Sequence, residues 1–286
     1  MYLYVLNVDE DISFQIPYPK PFYNRFKDMK LAEFETTWKG LSSQGRVARE
    51  IDSCVYCRIS ATYLTNHKLS DELRSFVCRG RLQLLQCNSL LHLYYGTPKH
   101  CYICYFHSDT VSHIINTCLH FKNMYQKRHD RIVDLNFDKI RFLSQRDQIQ
   151  LFKDCVLKPC MVESENEQFT HPHNRPDMFT IDKELKHVII TEISVLFDAH
   201  IDRCYNEKIN KYIPLSRELD EMGYRLTIVV LVIGSLGNVH SRFVSGLKMV
   251  GLKQSSAKLL AKYCSISAII GSYKIWKQRC KEINFN

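Results

Sequence analysis

The sequence predicts a mixed α+β protein, helical in its first half and with a small α/β core in its second. Three observations predict it. Apolar residues recur at helical spacing as far as about residue 135 and at strand spacing beyond about residue 177. Three cysteines and three histidines crowd into residues 101–120 at distances suited to metal ligation. The sixty residues from Met222 to Lys281 hold ten Lys/Arg and no Asp or Glu.

Taken in order, Val5 to Ile16 reads as one strand, after which Pro17, Pro19 and Pro21 interrupt regular structure. From Leu31 the pattern turns helical, with Leu31, Phe34, Trp38 and Leu41 on one face. A second helical stretch spans about Asp71–Tyr94, and Tyr95-Gly96-Thr97-Pro98 ends it with turn residues. The Cys/His segment follows, then a helix through about Asn123–Leu135. Residues 156–174 have the character of a linker: Pro159, the acids Glu163, Glu165 and Glu167, then His171-Pro172-His173-Asn174. Strands are expected at Asp177–Asp182 and His187–Leu196, joined by a turn at Lys183–Lys186. A long amphipathic helix over about Asp198–Met222 is expected to kink or divide at Pro214. A buried strand at Arg225–Ile233, a turn at Gly234–Gly237, and helices at Ser241–Val250 and Ser255–Cys280 complete the chain. Strand, strand, helix, strand, helix makes a small α/β core. The expected division is therefore a helical, linker-like region over 1–98, the Cys/His segment with its following helices over 99–155, and the α/β domain over 171–286.

Composition narrows the function classes. With 45% hydrophobic and 24% charged residues, the 286-residue chain can bury a core and is not a disordered sequence. No run approaches the ~18 apolar residues of a membrane span. The start of the chain lacks the basic and apolar segments of an export signal, so secretion is not expected and the twelve cysteines read as thiols or ligands rather than disulfides. The net charge of +9 is uneven: +2 over residues 1–98, +1 over 99–170 and +6 over 171–286. An acid-free basic stretch of this length points to a polyanionic partner, most simply nucleic acid. Lys274, Lys277 and Lys281 share one helical face, and Lys258 and Lys262 lie one turn apart before them, so these five are candidate phosphate contacts beside an active site.

Cys101-Tyr-Ile-Cys104, eight residues, His113, four residues and Cys118 form the pattern C-x2-C-x8-H-x4-C. Two cysteines separated by two residues can chelate one ion from a tight turn. A histidine and a cysteine five apart can close the tetrahedron from the start of a helix. Four such ligands leave no open position, which makes a structural Zn²⁺ site. On spacing alone, His107 and His120 compete for the histidine place. The other close pair, Cys54 and Cys57, has no Cys/His pair at a matching distance.

A second group of residues suits phosphoryl chemistry. Arg175-Pro176-Asp177 begins one strand and Glu192 lies on the next, so a hairpin can set the two carboxylates on one face. Such a pair suits Mg²⁺ or Mn²⁺, hard ions that take oxygen ligands and keep several waters. A lysine nearby would stabilise the charge that develops on a scissile phosphate. Two residues beyond Glu192, where that lysine is expected, the chain has Ser194. Lys208, Lys211 and Tyr212 instead sit on one side of the following helix, within reach of the strand edge. Asp182 and Asp198 read as a turn residue and a helix N-cap.

These residues resemble a known family. Phe76-Val-Cys-Arg-Gly-Arg81-Leu-Gln-Leu-Leu, the CCHC zinc knuckle, Tyr125-Gln-Lys-Arg128-His129-Asp130, Arg175-Pro176-Asp177, Glu192 and Lys208-x-x-Lys211-Tyr212 are similar, in order and approximate spacing, to the carboxy-terminal region of non-LTR retrotransposon proteins with a restriction-like endonuclease. The resemblance implies a PD-(D/E)XK restriction-endonuclease-like α/β core that nicks target DNA with a divalent metal, in a nuclear protein. It makes Asp177 and Glu192 the metal-binding acids, Lys208 or Lys211 the displaced catalytic lysine and Tyr212 an auxiliary group. It gives the knuckle, Arg128, His129 and Arg175 to nucleic-acid binding, with target DNA as partner and the element's RNA as a second candidate. Two departures accompany it. Asp130 stands where the family pattern has Asn, and the chain has no Tyr/Phe-Ala-Asp-Asp motif, so polymerase activity is not expected. Two rivals follow: a zinc-dependent nucleic-acid-binding remnant without cleavage, and a cellular nuclease of the same fold such as a junction resolvase.

Overall fold

The computed structural model describes residues 20–42, 45–51, 54–141, 149–162, 169 and 172–284. The expected strand at Val5–Ile16, Pro17, Pro19, the three acids at 163–167 and His171 lie outside them. The chain forms two compact units, Met1–Arg46 and Val47–Asn286. The first contains helix α1 (Lys20–Gly40), with Pro21 in its first turn, where a missing N–H costs nothing. Its expected apolar face forms but stays largely exposed at Leu31, Phe34 and Leu41.

The second unit begins with α2 (Arg46–Ile51) and the single turns α3 (Cys57–Ser60) and α4 (Thr62–Thr65). The stretch expected as one helix is two, α5 (Asp71–Arg81) and α6 (Asn88–Tyr95). Ser70 caps α5 by accepting from the Leu73 N–H at 3.3 Å. Gln83, at φ +56°, then turns the chain out of helical geometry. Gly96 ends α6 at φ +66°, as the turn residues there predict. After the Cys/His segment comes α7 (Lys122–Arg141), six residues longer than expected at its C-terminal end.

Four strands form one sheet in the order β1-β2-β3-β4: β1 (Ile149–Lys153), β2 (Met178–Asp182), β3 (His187–Leu196) and β4 (Arg225–Gly234). β1, β2 and β3 are antiparallel neighbours, while β4 runs parallel to β3 after crossing over through α8 (Ile201–Glu221). The chain ends with α9 (Phe243–Met249) and α10 (Gln254–Asn284). Pro214 lies inside α8 without dividing it. Tyr212, Leu215 and Leu219 are fully buried against the sheet around that position, and this packing outweighs the one missing backbone hydrogen bond.

The sheet is the middle of three layers. Met178, Ile193, Val229, Leu231 and Ile233 face α7, α9 and α10, while Phe179, Ile181, Val188 and Ile190 face α8. Burial on both sides explains the near-continuous apolar run of β4. The described residues of the supposed linker belong to the α8 layer, because Leu157, Val162 and Phe169 are buried with the α8 cluster. Residues 47–286 therefore form one compact unit in place of the expected divisions at 98 and 171.

Candidate functional site

Two side-chain clusters emerge from this framework. In the first, the β2–β3 register pairs Met178 with Thr191, and continuing it by one pair sets Asp177 opposite Glu192. Residues directly opposite in an antiparallel pair point to the same face. Here that face is the one covered by α8. Glu192 is almost completely buried, and each of its oxygens is occupied. Oε1 accepts from Lys208 Nζ at 2.5 Å and from Lys211 Nζ at 3.3 Å. Oε2 accepts from the Tyr212 hydroxyl at 2.7 Å, and Lys211 Nζ also donates to that hydroxyl at 2.9 Å. Spacings of three and four residues along α8 bring the three donors to one carboxylate. Burial pulls the Lys208 ammonium down, but the charges of Glu192 and then Asp177 reverse this and raise it above the ordinary lysine value. Burial and the Glu192 charge push the Tyr212 phenol up, so it remains a donor.

Asp177 is held differently. Its Oδ2 accepts from the Ile193 N–H at 2.6 Å, and Oδ1 lies 3.5 Å from His129 Nε2. His129 comes from α7 and also approaches the Ile193 carbonyl oxygen, 3.2 Å away. Burial lowers its pKa, but the Asp177, Asp130 and Ile193 partners overcome this and raise it to about 9, so the imidazolium is the favoured form at neutral pH. His129 therefore belongs beside the acids; read from the sequence it is a nucleic-acid contact. Arg128 needs a larger correction. It is 4% exposed, and its guanidinium donates to the Ile115 carbonyl, Ser272 Oγ and Asn116 Oδ1, so it fastens α7 to α10 and cannot meet a phosphate. Burial lowers its pKa to about 10. Arg175 is exposed just ahead of β2, two residues before Asp177.

Ser194 follows Glu192 on the same side of β3, where it faces Cys204 of α8. Asp182 serves the expected turn, accepting from the Leu185 N–H at 2.9 Å. Asp198 is not a simple N-cap. It is fully buried and accepts from the N–H groups of Leu236 and Asn238, which ties the start of α8 to the turn after β4.

The second cluster is Cys101, Cys104, His113 and Cys118, whose ligand atoms all lie within 4.8 Å of one another. The first two come from a tight turn in which the Cys101 carbonyl accepts from the Tyr105 N–H and the Cys101 N–H donates to the His107 carbonyl, both at 2.8 Å. Tyr105 takes a left-handed conformation to allow this. His113 opens a single π-helical turn (His113–Thr117), whose wide ring delivers Cys118 back to the cluster. Thr117 Oγ1 meets His113 Nδ1 at 3.2 Å, leaving Nε2 to face Cys104 Sγ at 3.3 Å. A partner on one ring nitrogen sets the other as the ligand. Burial and the neighbouring His107 lower the His113 pKa, favouring the neutral imidazole that metals bind. Neither competing histidine is among the four converging ligands. His107 packs its ring 5.3 Å from that of His113, and His120 pairs with Glu282 at 2.8 Å. Three thiols and one imidazole within one ion's reach are a donor set that fits Zn²⁺.

The basic residues of α10 separate. Lys277 pairs with Glu72 of α5 at 3.0 Å, a correction to its reading as a phosphate contact beside the acids. Lys258, Lys262, Lys274 and Lys281 have no acidic partner among the described residues, and none of them contacts Asp177 or Glu192. No described helix is long and apolar enough to cross a membrane.

No protein-family model matches the chain, and no curated protein is similar to it at a significant level. Among solved structures, an N-terminal domain of a reptarenavirus L protein aligns at 17% identity with a TM-score of 0.28, covering 46% of this chain and 72% of that one.

Proposed function

We propose that this protein is a divalent-metal-dependent endodeoxyribonuclease with a PD-(D/E)XK-like core, related to the restriction-like endonucleases of non-LTR retrotransposon proteins, and that its Cys3His cluster holds a structural Zn²⁺. One observation carries the reading: Asp177, the residue just before β2, accepts from the Ile193 N–H next to Glu192 on β3, and Lys208 and Lys211 of α8 meet at Glu192 Oε1. The order α7-β1-β2-β3-α8-β4, with Glu192 on the central antiparallel pair and Asp177 at its entry, supports a restriction-endonuclease-like core.

Asp177 and Glu192 offer the hard anionic oxygens that Mg²⁺ or Mn²⁺ prefers. The Lys208 ammonium now beside Glu192 Oε1 marks where a positive charge is stabilised. Lys208 and Lys211 are the residues that would hold the metal's place and then turn to the scissile phosphate. A bound metal ion of this type supplies charge stabilisation at phosphate oxygens and an acidified water. Each protein group then has a defined task. His129 and the Ile193 N–H orient Asp177, while Tyr212 orients Glu192 from within the core. Lys208 and Lys211, each about a third exposed, offer positive charge to the developing phosphorane.

A binding module without cleavage is favoured by one feature: both Glu192 oxygens are already neutralised by protein donors. Relaxation of supercoiled plasmid in Mg²⁺ or Mn²⁺ decides between the two. The nuclease reading expects nicking by the parent and its loss in Asp177→Ala and Glu192→Gln. Nicking that survives both substitutions would remove these acids from the site. A parent that binds but never nicks would leave the binding module.

A further inference from the structure

We propose that the cleft between α7 and α10 seats one or two nucleotides of single-stranded nucleic acid; this rests on the nucleic-acid role argued above but not on cleavage. The cleft encloses about 530 Å³, within the range that takes a small ligand. Lys127 and Arg131 line it from α7 and Lys274 from α10, all three exposed and without an acidic partner among the described residues. No acidic residue lines it. Between the cations the wall is apolar, through Ile266 and Ile270, and Tyr263 stands at it half-exposed.

The cleft is preformed. A side chain at Gly271 would run into Arg128 of α7, whose carbon stem lies in that gap while its guanidinium bonds to Ser272 of α10 and to Ile115. Its walls are thus fixed at a set separation. Lys127 and Arg131 lie one turn apart on α7, and His129 between them projects to the opposite side, where it meets Asp177. The cleft is therefore separate from the acidic pair and lies across the same helix from it.

The mixture of cations, apolar wall and tyrosine selects the ligand. A duplex turns its bases inward and would cover Ile266 and Ile270 with charged backbone. A single strand can offer phosphates to the three cations and base faces to Tyr263 and the apolar wall. A strand crossing α7 would in this way be gripped on one side of the helix and reach Asp177 and Glu192 on the other.

The test is fluorescence anisotropy of the full, zinc-loaded chain with labelled oligothymidylate of about 12 nucleotides, without added divalent metal, across a range of salt. The triple variant Lys127→Ala/Arg131→Ala/Lys274→Ala is expected to flatten the log–log salt dependence by about 2, from roughly 0.7 per lost contact. Tyr263→Ala is expected to weaken binding at least about fivefold with the slope unchanged. Parallel titrations with oligouridylate show whether DNA or RNA is the favoured strand, and both losses are expected with that strand. Should the alanine variant fold poorly, the same positions changed to Gln keep the stems and remove the charge. A triple variant with the parent slope would overturn the proposal. So would a Tyr263→Ala variant with parent affinity, which would leave only a general polyanion patch. Nicking by a parent whose single-strand binding ignores these changes would sink the cleft alone, whereas loss of binding in the variants of a parent that never nicks would sink the nuclease alone.

Discussion

Ser194 stands two residues beyond Glu192 on the α8-facing side of β3, beside Cys204. One helical turn further along α8, Lys208 delivers its ammonium to Glu192. The positive charge expected from the strand is thus supplied from the helix. On this account, Lys208→Ala slows nicking by at least about tenfold, and adding Ser194→Lys recovers part of the loss. Plasmid-nicking rates of the single and double variants provide the check, and no recovery would mean that the helix position matters for more than charge. Arg128 supplies the converse case. Beside His129 in a basic helical segment it reads as a nucleic-acid contact, because sequence reveals charge without revealing depth. With its guanidinium on Ile115, Asn116 and Ser272, Arg128→Met is expected to destabilise the fold by about 3 kcal/mol or more through stranded polar groups. Urea unfolding measures this, and the salt slope of DNA binding by the folded variant should stay at the parent value.

Elements defined by strong local signals were legible in the chain. β3 and its turn, β4 and the Gly96-capped end of α6 fall within a residue or two of expectation, since β-branched runs and turn residues mark their limits. β1 was not legible: five residues at a sheet edge, four half-exposed and Gln150 exposed, carry too short an alternation. The linker was misread because Leu157, Val162 and Phe169 are isolated apolar residues whose burial depends on α8, which is distant in sequence. In the Cys/His segment, spacing left three histidines in competition, and the π-helical turn with Thr117 on Nδ1 distinguishes His113. That segment should contain one Zn²⁺ per chain by elemental analysis. Cys118→Ser should lower the zinc content and expose residues 99–121 to limited proteolysis. Full zinc occupancy in Cys118→Ser would assign the metal elsewhere.

Across the whole molecule, the three parts read from the sequence merge beyond residue 46 because α10 touches so many of them. It packs on α7 and α9 and meets α3 and α5. Its Arg279 forms a buried ion pair with Asp109, within the Cys/His segment, and Asp109 also accepts from the Asn88 N–H. Not all ten basic residues in the acid-free stretch are open to a polyanion: Arg279 is buried against Asp109, and Lys277 pairs with Glu72. Asp109→Ala leaves Arg279 buried without its counter-charge and should destabilise the unit by about 3–5 kcal/mol. One cooperative urea transition, shifted as a whole, is the expected behaviour. A transition that splits in two would restore the boundary near residue 98.

What joins these scales is a carboxylate pair held at the middle of the sheet by groups from α7 and α8. The most direct measurement is the single-turnover nicking rate of supercoiled DNA against Mg²⁺ concentration, for the parent and for Asp177→Asn at equal zinc content. The account predicts a parent rate that rises with Mg²⁺ to saturation and a variant slower by at least about 100-fold at every concentration. Equal rates for the two proteins, or a parent rate that ignores Mg²⁺, would contradict it.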